Sequence, residues 1–195
     1  NAGLNISNIG AKISYTDDAN KDFIPINMKL GQSLAFILDD YNSIAIITDI
    51  NKLLVPTPPI YATDDQGQPI YDPVTDEQVI ESGKDPNVGI MSGILQSFND
   101  APGGFSEELK EYNLSAGLEY WYNKQFAVRT GYFYEHLTKG NRKYVTLGAG
   151  LKMSVFSIDF SYLIAMTQNN PLANTMRFSL MFNFDDFKKQ GKDGE

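Results

Sequence analysis

"QFAVRTGYFYEH", residues 125 to 136, alternates two kinds of side chain from Phe126 to Glu135 without a slip. Strand side chains point alternately to opposite sides of a sheet. Phe126, Val128, Thr130, Tyr132 and Tyr134 therefore share one face, and Ala127, Arg129, Gly131, Phe133 and Glu135 share the other. One face is apolar and aromatic; the other mixes small residues with charge. The fold turns on which of these faces meets the bulk surroundings, and on whether those surroundings are water.

The same alternation recurs along the chain. Tyr112, Leu114, Ala116, Leu118, Tyr120 and Tyr122 oppose Asn113, Ser115, Gly117, Glu119 and Trp121. Val145, Leu147, Ala149, Leu151 and Met153 oppose Thr146, Gly148, Gly150 and Lys152, and Phe156, Ile158, Phe160 and Tyr162 oppose Ser157, Asp159 and Ser161. Met176, Phe178, Leu180, Phe182 and Phe184 oppose Arg177, Ser179 and Asn183, and upstream Ile26, Met28, Leu30, Leu34, Phe36 and Leu38 oppose Asn27, Lys29, Gly31 and Ser33. Two less regular segments, Gly3 to Tyr15 and Ser43 to Val55, read as strands whose facing shifts, as at a bulge. About eight strands result, and no helical period competes with them over the C-terminal half.

The connections alternate strictly between short and long. "DDYN" (39 to 42), "YNKQ" (122 to 125) and "MSV" (153 to 155) read as tight turns. Between them lie "TDDANKDF" (16 to 23), a long segment from about 56 to 111, "HLTKGNRK" (136 to 143) and "AMTQNNPLAN" (165 to 174). Transmembrane barrels have this asymmetry, with short periplasmic turns and longer outer loops. The turns at Asp40-Tyr41, Asn123-Lys124 and Ser154 are then expected on one side, and Lys139-Gly140 and Asn169-Asn170 on the other.

Composition narrows the function classes. A net charge of -8 argues against an electrostatic grip on nucleic acid. There are no cysteines and a single histidine, which leaves no disulfide and few ligands for a zinc site. The longest purely apolar run, Leu34 to Leu38, is far shorter than a membrane helix requires. No signal peptide opens the chain and it does not begin with Met, so it reads as a mature segment or a fragment.

Energetics then favours lipid on the apolar face. A face of Gly, Ala, Ser and Phe with single charges is a thin coat for water but suits the interior of a barrel. Tyr120 and Tyr122 beside one turn, and Tyr132 and Tyr134 near the opposite rim, sit where interfacial girdles belong. An open sheet edge in hydrocarbon would leave backbone polar groups without partners, so closure is expected. The expected fold is an all-β transmembrane antiparallel β-barrel segment over residues 1–184, with a long extracellular loop at about 56–111 and a flexible C-terminal tail at 185–195.

Several stretches are then familiar. "SFNDAPGGFSEELKEYNLSAGLEYWYNKQFAVRTGYFYEH", "KYVTLGAGLKMSVFSIDFSYL" and "NPLANTMRFSLMFNF" closely resemble the C-terminal half of PorV-type proteins, and "NISNIGAKISYT" and "LGQSLAFIL" match upstream. These are FadL-like outer-membrane proteins of the type IX secretion system of Bacteroidota. The resemblance covers nearly the whole chain apart from about Tyr61 to Lys84, and "DAPGGF" (100 to 105) with "GLEYWY" (117 to 122) is its most specific part. It implies about eight C-terminal strands of an expected fourteen, in the outer membrane of a Gram-negative bacterium, and a non-enzymatic role without cofactor or metal. Such proteins bind the C-terminal signal domains of secreted cargo leaving the translocon and deliver them to a sortase-like attachment protein at the surface. The alternative is a FadL-type channel for hydrophobic small molecules.

Individual residues follow from these expectations. In "VGIMSGILQSF" (88 to 98), Val88, Ile90, Met91, Ile94, Leu95 and Phe98 form an apolar stripe if the stretch is helical. That stripe either packs on the barrel's own rim or lumen, or part of it (Ile90, Met91, Ile94, Leu95 and Phe98) forms the cargo-binding surface with Phe105. Glu119, Arg129, Lys152, Asp159 and Arg177 share one face and read as a lumen charge network. "SEELKEY" (106 to 112) reads as one helical turn capped by Ser106, with its acidic run as a solvated face. His136 reads as a solvated loop residue, and no nucleophile has a base beside it in the sequence.

Overall fold

A computed structural model of the chain describes residues 1–14, 21–167, 173 and 175–183. In chain order the elements are β1 (Ala2–Ser7), β2 (Asn27–Ile37), β3 (Asn42–Leu53), β4 (Ile60–Tyr61), β5 (Ile80–Ser82), α1 (Ile90–Gln96) and α2 (Phe105–Glu108). A 3-10 turn over Leu109–Glu111 leads into β6 (Tyr112–Tyr122) and β7 (Phe126–Tyr134). A second 3-10 turn, Leu137–Lys139, precedes β8 (Lys143–Lys152), β9 (Phe156–Ala165) and β10 (Met176–Phe182). An 8-stranded sheet runs in the order β1-β2-β3-β6-β7-β8-β9-β10, so β1 and β10 each have one neighbour in it. Its eight strands are the eight that the alternation predicts; the small β4-β5 hairpin inside the long loop carries no alternation and was not expected.

Two compact units divide the chain: Asn1–Gly3, Gly31–Ile50 and Leu114–Glu195 in the first, Leu4–Leu30 and Asn51–Asn113 in the second. The first unit contains the antiparallel run from Leu114 in β6 through β10. Its register aligns whole rows of side chains. Leu118, Thr130, Leu147, Tyr162 and Met176 stand side by side, as do Tyr120, Val128, Ala149, Phe160 and Phe178 in the next row of that face. On the opposite face the matching row is Glu119, Arg129, Gly148, Ser161 and Arg177. Pairing holds without a slip because a shift of one residue would exchange the two faces along a whole strand.

The turns explain the register. Asn123 and Lys124 both lie in the left-handed region, at φ 50° and 55°. That pair of conformations makes the two-residue hairpin whose twist matches its strands, and Asn is among the residues that enter it most readily. Gln125 N–H closes the turn on the Tyr122 carbonyl at 3.0 Å. At the β2-β3 turn the Asp39 carboxylate accepts from Tyr41 N–H and Asn42 N–H, each at 2.8 Å. The Asn42 amide and these two N–H groups hold that carboxyl below its ordinary range.

Where the sequence pattern was irregular, the structure departs from it. The expected strand from Gly3 to Tyr15 ends at Ser7, because Asn8 turns into the left-handed region at φ 59°. Asn8 Nδ2 there donates to the Pro25 carbonyl at 3.2 Å, and the chain regains pairing only in the isolated Ile13–Asp22 bridge. Tyr15, Phe184, the Asn169-Asn170 turn and the 185–195 tail lie outside the described residues. Among the described residues no helix is long and apolar enough to cross a membrane, which leaves a strand-built crossing untouched.

Little of the apolar material is buried. Among the described residues the buried hydrophobic side chains are Ile26, Ala45, Leu54, Ala101, Ala127 and Leu163. By contrast Leu147 is 49% exposed, Val128 62% and Phe178 68%, and all three belong to the apolar face of the β6–β10 run. Leu118, Phe126, Phe160, Leu180 and Phe182 on that face are exposed as well. Water-soluble monomers rarely leave contiguous apolar patches larger than a few hundred Å² bare.

Candidate functional site

The condition for a stripe over 88 to 98 is met in part, since the stretch is helical over Ile90–Gln96, but its residues do not share one fate. In α1, Gly93 and Ser97 are buried, Ile90 and Ile94 are half-buried, and Met91 and Leu95 stand 67% and 72% exposed. Residues four apart lie on one side of a helix, so Met91 and Leu95 make one outward pair and Gly93 and Ser97 the inward one. Gly93 is inward because nothing larger fits: a Cβ there would come within 2.6 Å of the Phe23 ring and 3.2 Å of Pro56 Cγ. Phe98 is partly exposed, and Phe105, at the start of α2, is exposed.

The α2 cap differs from expectation. Ser106 does not cap the turn: the N-cap is Gly104, at φ 69° and ψ −157°, with no side-chain cap. A backbone that enters a helix from that quarter is accessible to glycine and strained for other residues, so "GGF" sets the start instead of the hydroxyl. Glu107 still supports the turn, its Oε2 accepting from Gly103 N–H at 2.7 Å.

Below these helices lies a buried polar cluster that sequence reading missed. Lys52, near the end of β3, is fully buried and donates from Nζ to Glu108 Oε1 at 2.6 Å and Glu111 Oε2 at 2.8 Å. Thr57 Oγ1 donates to Glu111 Oε1 at 2.8 Å, and Thr57 N–H donates to Asp100 Oδ2 at 3.0 Å. Glu108 is buried, so the acidic run of this turn is not the solvated face expected of it. Its Oε2 also receives long bonds from the N–H groups of Asp100 and Ala101, each at 3.3 Å. Burial pushes the Asp100 carboxyl above the usual carboxylate range; the Thr57 hydrogen bonds oppose this, while the charges of Glu108 and Glu111 add to it. The Lys52 ammonium also lies 5.0 Å from the ring centre of Tyr112. One signal was present in the sequence. Glu108 and Glu111, three apart, fall on one side of a helical turn. Their partners Lys52 and Asp100 are distant in the chain and could not be inferred from it.

The five charged residues predicted as a network do share a face, and three of them bond. Arg129 donates from Nε to Glu119 Oε2 and from Nη1 to Asp159 Oδ1, the latter at 2.5 Å. The Glu119 carboxylate also accepts from Trp121 Nε1–H at 2.7 Å. Gly150 makes room for this group, since a Cβ at that position would lie 2.7 Å from Arg129 Nη1. Lys152 and Arg177 are exposed on the same face and do not join the bonded group. On the loop after β7, Arg142 donates from Nε and Nη2 to the buried Glu135 carboxylate at 2.7 and 2.6 Å. His136 accepts from Thr138 N–H through Nδ1 and caps the second 3-10 turn, a local structural task.

The chain is thus a mostly β protein, an antiparallel sheet with an exposed apolar face joined to a long, internally pinned loop. Residues 1–60 match a family model described as "Type IX secretion system protein PorV". The matched segment holds two of the stretches on which the resemblance rests, "NISNIGAKISYT" and "LGQSLAFIL", and supports a PorV-type protein with a role in type IX secretion. No curated protein matches the chain.

Proposed function

We propose that the chain is an outer-membrane component of type IX secretion that binds the C-terminal signal domains of secreted cargo and passes them to the sortase-like attachment protein. The membrane part of this reading rests on the exposed face of Leu118, Val128, Leu147, Phe160 and Phe178. Lipid is the neighbour that a continuous apolar sheet face of this kind fits, with the Glu119–Arg129–Asp159 group turned to the lumen of a FadL-like barrel. In lipid, the free edges of β1 and β10 require strand partners, since unpaired backbone groups cost several kcal/mol each in hydrocarbon. Labelling whole cells with a membrane-impermeant maleimide tests the orientation. A single Cys replacing the exposed Leu137 should react, and one replacing Asn123 should not; equal reaction at both refutes it.

The observation that carries the cargo reading is the outward pair on α1. Met91 and Leu95 stand exposed on a loop held to the protein by buried ion pairs, and Phe105 is exposed on the next helix. Solvent-exposed Met, Leu and Phe on a fixed backbone suit a docking surface for an apolar partner. Exchanging Met91 and Leu95 for Ser leaves the inward Gly93 and Ser97 untouched, so the barrel should remain heat-modifiable on gels. Recovery of a cargo signal domain in pull-down should fall at least about tenfold, the equivalent of one well-buried apolar contact. Unchanged recovery places recognition on another loop.

A further inference from the structure

The Lys52 cluster holds more negative charge than its lysine balances. Asp100, Glu108 and Glu111 bring three carboxyl groups together, with ligand oxygens within 4.8 Å of one another, and the Lys52 ammonium bonds to Glu108 and Glu111 among them. Asp100 is 2% exposed and Glu108 4%. The hydrogen bonds do not use all the oxygens. Lys52 takes Glu108 Oε1 and Glu111 Oε2, and Thr57 takes Glu111 Oε1 and Asp100 Oδ2. Glu108 Oε2 has only the two long contacts, and Asp100 Oδ1 is buried with no protein partner. A buried carboxylate oxygen is rarely left so in a folded protein, and a bound ion is one of the recognised explanations.

We propose that Asp100, Glu108 and Glu111 form a site for a calcium-class divalent cation beside the Lys52 ammonium. A divalent ion together with Lys52 neutralises the three carboxylates, which removes the cost of burying uncompensated charge. The donors are all oxygen, and the chain has no cysteine, so a hard cation fits and a thiophilic one does not. Calcium accepts irregular oxygen geometry, whereas magnesium demands a near-octahedral shell and keeps several waters, an awkward fit beside carboxylates as buried as Asp100 and Glu108. Asp100 and Glu108 lie on opposite sides of "APGGF", so the cation ties the two ends of that turn together and joins them to the end of β3 through Lys52.

Terbium luminescence on the intact chain in detergent tests the site, because Tyr112 lies close enough to sensitise the bound ion. Wild type should give a saturable signal displaced by calcium, and calcium should raise the thermal midpoint. Asp100→Asn should weaken terbium and calcium binding by at least about tenfold, because affinity follows the charge count of the ligands. Glu111→Gln, at a less buried side chain than Glu108, serves as a second variant if Asp100→Asn does not fold. Glu81→Gln, an exposed carboxylate elsewhere on the loop, should bind as wild type does. A saturable signal lost in the site variants and kept in Glu81→Gln sustains the proposal. Wild type without a saturable signal overturns it, as does equal binding in wild type and the site variants. Stabilisation by Asp100→Asn with no response to calcium also overturns it, and shows the carboxyl to be held by a proton.

Discussion

Replacing Lys52 by Met should loosen the base of the long loop at a cost of about 3–5 kcal/mol, the usual range when one member of a buried ion pair is removed. Lys52 is fully buried, and its ammonium is the donor that Glu108 Oε1 and Glu111 Oε2 share. Methionine fills much of the aliphatic stem but leaves two carboxylates facing each other and Asp100 without a positive charge between them. The damage should stay in the loop unit, since the β6–β10 register draws on none of these residues. Hydrogen exchange at residues 97–111 should accelerate strongly while exchange in β7 and β8 hardly changes. Adding Glu108→Gln to Lys52→Met should recover part of the loss, because it removes one of the stranded charges. A loss below about 1 kcal/mol would mean that the cluster is solvated and behaves as a surface pair.

Leu147→Arg should cost about 2–4 kcal/mol in a bilayer, the range for a cation near the midplane of a barrel's lipid face. Leu147 is central in β8, between Thr130 and Tyr162, and is exposed on the apolar face. Arg177→Ala on the opposite face removes an exposed side chain outside the Arg129 ion-pair group, so it should stay within about 0.5 kcal/mol. Urea unfolding of the refolded protein in lipid vesicles reads both. If the arginine at 147 is silent and the change at 177 unfolds the protein, the two faces have been assigned to the wrong media.

The contrast between sheet and loop shows what a sequence carries by itself. In β6 to β10 the information is local: an apolar residue at every second position, closed by turns such as Asn123-Lys124, determines strand, face and register together. β1 was over-extended because Asn8 leaves the strand through its backbone conformation, and the residues after it keep enough apolar character to imitate a continued strand. In α1 the spacing implied an apolar stripe only on condition of a helix, and it did not say which side would face outward. That side is decided by the approach of Phe23 and Pro56 to Gly93, a contact between distant parts of the chain. Lys52 and Asp100 were invisible for the same reason: each looks like an ordinary solvated charge until the fold encloses it. The Glu119–Arg129–Asp159 group was legible in part, since alternation places the three on one face. Which of the five charges would bond depended on register and on the space left by Gly150.

The clamp at Lys52 also has a consequence for how this chain can change over generations. The Lys52–Glu108 bond joins residues 56 apart, and the Thr57–Asp100 bond joins residues 43 apart. Between those anchors the β4-β5 hairpin and its extension run out to a tip at Gly67, where an added Cβ would meet nothing within 4 Å. Once the two ends of an excursion are fastened, doubling the length between them adds only about 0.6 kcal/mol of closure entropy. Insertions and deletions at the turn around Gly67 are therefore cheap for the fold, whereas Ser82, which donates to the Pro102 carbonyl at 2.6 Å, ties the base of the hairpin to the loop.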